Sequence, residues 1–163
     1  MGLISVISSN NMQNIESPHP KEKRLKRQIN SNFRDPPQMG WKLFSNSLEV
    51  TLPIRTVSEA NCTEPWHKRH KRHKKQKNVL FWTILECKKY IKLPCTITMI
   101  RFAPKELDRH DNLPMSQKWL VDTLCAEITG IKTAGRADDS KEITIKYDQV
   151  KCKQYAVKII VEF

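Results

Sequence analysis

Nothing in this chain of 163 residues reads as an export or membrane signal. The opening MGLISVISSNN is too short and too polar for the apolar core of a secretory leader. Gly2 raises the thought of myristoylation, but Val6 stands where that motif wants Ser or Thr. No apolar run approaches the roughly 20 residues of a membrane span. Among the five cysteines, Cys62, Cys87, Cys95, Cys125 and Cys152, there is no CxxC pair. The odd count and the missing pairs argue against a disulfide framework and fit a reducing compartment, so a soluble cytoplasmic protein is expected. Cys62 followed by His67, His70 and His73 suggests zinc, but Lys and Arg alternate with those histidines and would repel a cation. The sequon Asn61-Cys62-Thr63 is read as accidental without a secretory signal. No internal repeat is present.

Acidic residues are the scarce charge. Asp and Glu total 17 against 29 Lys and Arg, a net +12. Such an imbalance speaks about partners and not about fold. Nucleic acid is the commonest polyanion; a merely cationic soluble protein is the bland alternative.

Residues 1–45 hold Ser/Asn clusters, a basic run from Lys21 to Arg27 and Pro36–Pro37, with little periodic hydrophobicity. A disordered basic and polar tail is expected there, with a folded domain over 46–163. Leu48, Val50 and Leu52 alternate with Glu49 and Thr51, the period of a half-buried strand. A polar loop, IRTVSEANCTEP, leads to a stretch from Trp66 to Tyr90 without Gly or Pro. There Leu80, Ile84, Cys87 and Ile91 recur at helical spacing. CTITMIRF then alternates as a strand, with Ile97, Met99 and Arg101 on one side. Leu113–Ile128 reads as an amphipathic helix, capped by Asp111 or Asn112, with Pro114 in its first turn and Gly130 at its end. EITIKYDQV and QYAVKIIVEF supply two last strands. The predicted architecture is α/β of the α+β type: a small mixed sheet with two packed helices, in the order β-α-β-α-β-β.

Two clusters carry candidate chemistry. In the first, Lys68, Arg69, Lys71, Arg72, Lys74, Lys75 and Lys77 wrap around the front of the first helix, which is expected to stand mostly in water. With Trp66 alongside, they form a candidate DNA-binding surface that would grip phosphates and read no sequence. A merely solvated helix end is the alternative. In the second, Asp108 and Asp111 precede a helix, and Asp138–Asp139 follow it in GRADDS. A cap and a turn account for both. Equally, acids in a phosphate-seeking chain repel the ligand unless a cation bridges them, and magnesium takes a few carboxylate oxygens along with phosphate oxygens. Lys118 lies two turns after Asp111 on the same helix face, so it can reach back toward the acids, pair with Asp122 at i, i+4, or do both. His110 is a candidate base and more simply a loop histidine.

The run DNLPMSQKWLVDTL followed by a DD pair resembles the RusA family of Holliday junction resolvases of phages and prophages. Asp111-Asn112-Leu113, Lys118, Asp122 and Asp138-Asp139 match its pattern in order. LPIRTVSEAN and the basic WHKRHKRHKK resemble its early strand, loop and helix. The resemblance covers about residues 48–163. It implies a homodimeric, Mg²⁺-dependent endonuclease (Mn²⁺ as an alternative ion) that resolves branched, four-way DNA junctions. It also implies that Asp108, Asp111 and Asp139 hold the metal and that Lys118 assists. The chain departs from the pattern at Arg109, where the family has an acid. Asp108 is the expected substitute, and a non-catalytic structure-selective DNA-binding protein is the alternative function.

Overall fold

A computed structural model describes residues 35, 37–60, 62–131 and 140–163 of the chain. The strands are β1 (Gly40–Leu43), β2 (Ser47–Leu52), β3 (Cys95–Ala103), β4 (Ile143–Lys151) and β5 (Ala156–Glu162). The helices are α1 (Trp66–Cys87), continued by a 3₁₀ turn at Lys88–Tyr90, and α2 (Asn112–Thr129). The five strands form one mixed sheet in the order β1-β2-β5-β3-β4. Three neighbouring pairs are antiparallel, and β3–β4 is parallel, Cys95 facing Ile143 and Ala103 facing Lys151. A parallel pair needs a crossover, and α2 supplies it. This is the expected mixed sheet with two helices, preceded by one further strand.

The alternation read in the sequence decides which face is covered. Leu48, Val50 and Leu52 of β2, Ile97 and Met99 of β3, and Val157, Ile159 and Val161 of β5 point into one core. Leu80 and Ile84 of α1 and Leu120, Val121, Leu124 and Cys125 of α2 close over it. On the other face Phe102, Cys152 and Ala156 form a second, smaller cluster. All five cysteines are free, and four are buried. Burial, aided by the charge of Glu86, pushes the Cys87 thiol up to about 11, so it stays a neutral S–H, which donates to the Thr83 carbonyl at 3.3 Å. Among the described residues no helix is long and apolar enough to cross a membrane.

One expectation needs correcting. Order begins before residue 46: Gly40–Leu43 pairs in register with β2 from Gly40↔Thr51 to Leu43↔Leu48. All four of its residues are exposed, so it carries no buried alternation to betray it. It is pinned by Trp41, whose ring lies 6.2 Å from that of Tyr90 and whose Nε1 donates to Glu86 Oε2 at 3.2 Å. Trp41→Ala should lower stability by only about 1 kcal/mol in urea unfolding, since the indole is partly solvated. An unchanged midpoint would detach β1 from the domain. The front of α1 stands mostly in water, as expected, with His73 and Gln76 buried among its exposed cations.

Candidate nucleic-acid interface and acid loop

The loop 53–64 is the part that organises the site. Glu59, in its middle, faces the basic helix. Its Oε1 accepts from Arg72 Nη1 at 2.7 Å and lies 2.9 Å from His73 Nε2, while Arg69 Nε stands 3.7 Å from its other oxygen. Glu64 takes the rest of the Arg72 fork, at 2.9 and 3.2 Å. Burial alone would raise the Glu59 carboxyl, but hydrogen bonds from Arg72 and His73 and their charges outweigh it, holding it below the usual range. Behind this cluster the His73 ring stacks on Trp119 with centroids 4.5 Å apart, and Lys77 Nζ sits 5.0 Å from the Trp119 ring centroid.

This arrangement sorts the cations expected to bind DNA. Arg72 is turned inward and neutralised by two carboxylates, its side chain 17 % exposed. It acts as a structural residue, because three of its N–H groups and its charge are committed to the two acids. Arg69 is half committed, donating to the carbonyls of Cys62 and Glu64. Lys68, Lys71, Lys74 and Lys75 are exposed. Lys68, Lys71 and Lys75, spaced i, i+3 and i+7, share one stripe and line a cleft of about 420 Å³ between α1 and Pro53–Arg55.

Sequence reasoning missed several residues of this region. Gln76 Nε2 donates to the Arg55 carbonyl at 2.7 Å, fastening the loop to the helix. Arg55 lies over the Tyr155 ring, 4.9 Å from its centroid. Arg101, buried on β3, donates to Thr56 Oγ1 and to the Lys105 carbonyl, both neutral acceptors. Burial lowers its pKa from the ordinary guanidinium value, yet the group stays charged and adds positive potential beneath the loop. Arg101 was legible as facing inward; Arg55 and Glu59 gave no signal beyond sitting in the loop motif.

The acid loop follows β3. Gln149 of β4 clamps it, its amide bonding Leu107 N at 2.9 Å and Leu107 O at 2.7 Å. Asp108 then folds the turn that leads into α2. Its Oδ1 accepts from the N–H groups of His110 and Asp111, each at 3.0 Å, and its carbonyl accepts from Leu113 N. Those bonds, first that from Asp111 and then that from His110, hold the Asp108 carboxyl below its ordinary value. Asp111 occupies the N-cap position of α2 but makes no side-chain cap bond. Asn112 turns aside to meet Ser58, whose Oγ donates to its Oδ1. The loop beside the basic cleft and the loop of exposed carboxylates are thereby joined.

The remaining candidates are placed as follows. Lys118 Nζ lies 3.4 Å from Asp122 Oδ1, the i, i+4 pair. Arg109 pairs with Asp148 of β4 at 3.3 Å, both well exposed. Such a surface pair contributes about 0–1 kcal/mol. Asp138 and Asp139 lie outside the described residues. Their described neighbour Ser140, whose carbonyl accepts from Ile143 N, sits at the Cys95 end of β3–β4, while the acid loop leaves from the Ala103 end. Strands of this length span about 26 Å. Among the described residues no three His, Cys, Asp or Glu side chains cluster as a ready metal cage, which covers the Cys62–histidine zinc candidate as well. Asp108 and Asp111 offer hard oxygens in solvent, the donor type suited to magnesium, which commonly takes one or two carboxylates and completes its shell with water and phosphate.

No protein-family model matches this chain, and no curated protein sequence matches it. The likeness to the RusA family rests on the motif residues themselves.

Proposed function

We propose that the protein is a Mg²⁺-dependent endonuclease that cuts branched DNA, the four-way junction being the substrate to which the RusA-like motifs point. The observation that carries this reading is the Ser58–Asn112 hydrogen bond, which ties the loop whose start walls a cationic cleft to the first residue of α2, next to Asp111. A phosphate chain gripped by Lys68, Lys71 and Lys75 is thereby presented to carboxylates that would otherwise repel it. Asp108 and Asp111 would hold the ion, whose chemistry is to lower the pKa of water and to offset charge on phosphorus. The chain's own residues do the rest. Lysines on the α1 stripe position the backbone. Asp108, kept ionised by two N–H groups, shapes the loop. Lys118, paired with Asp122 at 3.4 Å, is assigned through the resemblance to meet developing negative charge. Asp139 enters through the resemblance alone, and its neighbour Ser140 stands at the far end of β3–β4 from Asp108 and Asp111, so within one chain those two acids carry the proposed site without it. A two-fold dimer suits a two-fold junction, because paired cuts need two sites.

The test is cleavage of a synthetic four-way junction with Mg²⁺, with Mn²⁺ and with chelator. Nicking that needs the ion supports the endonuclease. Tight binding with no nicking in either ion rejects it in favour of a structure-selective DNA-binding protein. The Arg109–Asp148 pair is the observation that favours this second reading, since it stands where the family has an acid.

A further inference from the structure

We propose that the cleft between Pro53–Arg55 and α1 seats an unpaired nucleotide of the DNA strand, its base on the apolar floor and its phosphates on the lysine rim. This rests on the nucleic-acid reading above and adds which part of the substrate is gripped. The cleft's volume of about 420 Å³ lies within the range of pockets that take small organic groups. Its floor is Pro53, Ile54 and Val79, and its rim is Arg55, Lys68, Lys71 and Lys75. The acid on the wall, Glu64, is neutralised by Arg72 at 2.9 Å, so the rim's charge is uncompensated. A duplex offers such a cleft phosphates but hides its base faces. An unpaired nucleotide offers both an apolar face and a charged backbone, and it matches floor and rim together.

The cleft is also prebuilt. Gln76 holds the Arg55 carbonyl and Arg101 holds Thr56, so the loop side is fixed before any ligand arrives. The stripe continues beyond it. Trp82, seven residues after Lys75 and three after Val79, falls on the same helix face and is 65 % exposed. From Lys68 to Trp82 the helix rises about 21 Å, room for a short run of nucleotides with a neighbouring base stacked on the indole.

The experiment is fluorescence anisotropy at one fixed salt concentration with the full chain. The probes are a DNA single strand, a blunt duplex of equal length, the same duplex with one unpaired nucleotide, and an RNA strand of the same sequence. Wild type is expected to bind the unpaired probes about tenfold more tightly than the duplex. Val79→Glu puts a carboxylate in the floor, and Trp82→Ala removes the platform. Each should lose most of that tenfold preference for the unpaired probes, Val79→Glu weakening duplex binding as well because its charge faces the lysine rim. Lys71→Glu, at an exposed position that cannot unfold the domain, should weaken every DNA probe. A 2-aminopurine at the unpaired position should change its emission on binding wild type and not on binding Val79→Glu. Equal affinity of wild type for duplex and unpaired probes overturns the cleft proposal, as does wild-type behaviour of both Val79→Glu and Trp82→Ala; the nucleic-acid reading survives either result. Tighter binding of the RNA strand overturns the DNA assignment. Failure of wild type to bind any probe removes both the cleft proposal and the reading beneath it.

Discussion

Asp111→Asn is expected to slow Mg²⁺-dependent junction cleavage by at least about a hundredfold while leaving junction affinity nearly unchanged. The substitution is unusually clean. Asp111 sits at the N-cap of α2 without a side-chain bond to the helix, and its carbonyl keeps its bond from Met115 N, so the substitution removes no hydrogen bond of the helix. Asn is as good as Asp at such a position, and what disappears is one negative charge in solvent. Asp108→Asn makes a useful partner. An amide oxygen can accept the same two N–H bonds from His110 and Asp111, so the loop keeps its shape and loses its charge. Asp108→Ala removes the loop contacts too. If Asp108→Asn and Asp111→Asn both stop cleavage, with circular dichroism unchanged, the acids act chemically. If only Asp108→Ala does so, they serve as architecture. The pH dependence has a definite sign. The Asp108 carboxyl is depressed in the folded chain, so its contribution is complete above the ordinary Asp value and is lost as pH falls through the lower folded value. Cleavage near neutral pH should therefore show no titration from Asp108. Junction cutting by Asp111→Asn at the wild-type rate would sink the assignment.

The periodic elements were legible because burial writes itself into spacing. Leu48, Val50 and Leu52 announced β2, and Leu80, Ile84 and Cys87 announced α1, because each set faces one core. β1 was illegible for the same reason: GWKL buries nothing and is held by one edge and one indole. Within the basic run, composition gives the charge but not its direction. Lys71 and Arg72 are neighbours in sequence, yet one rims the cleft and the other is consumed by Glu59 and Glu64. The partner that decides this lies in a loop, where no periodicity ranks one acid above another. Asp108 and Asp111 could be located as a helix start from the sequence. The sequence offers Asp111 or Asn112 as the cap of that helix, but Asp111 makes no side-chain cap bond and Asn112 is drawn aside by Ser58, neither of which spacing reveals.

Glu59→Ala is expected to destabilise the domain by about 3 kcal/mol, enough to lower Tm by roughly 10 °C. The carboxylate is the shared acceptor of a cluster that is largely out of water, with Glu59 and His73 side chains each 10 % exposed and Arg72 17 % exposed. Removing it strands a guanidinium that Glu64 satisfies only in part, and breaking one partner of such a buried pair costs far more than the intact pair contributes. Glu59→Gln should fall between, since an amide oxygen still accepts one hydrogen bond but carries no charge. The Glu59→Ala/Arg72→Met double variant should be less destabilised than the sum of its singles, because the stranded charge is gone. Acid adds an independent check. The folded Glu59 carboxyl is depressed, so its stabilisation is present above the ordinary Glu value near 4.5 and disappears as pH drops through the folded value. Wild type should therefore lose stability below pH 4.5 more steeply than Glu59→Gln does. The functional consequence follows from position. Glu59 adjoins Ser58, and Ser58 holds Asn112 beside Asp111. Loosening this loop should misplace the cleft wall and the acid loop together, raising the dissociation constant for DNA and slowing cleavage in a variant that still folds at low temperature. Parallel acid unfolding of wild type and Glu59→Gln, with additive effects in the double variant, would show that Glu59 is an ordinary surface acid and that something else holds the loop.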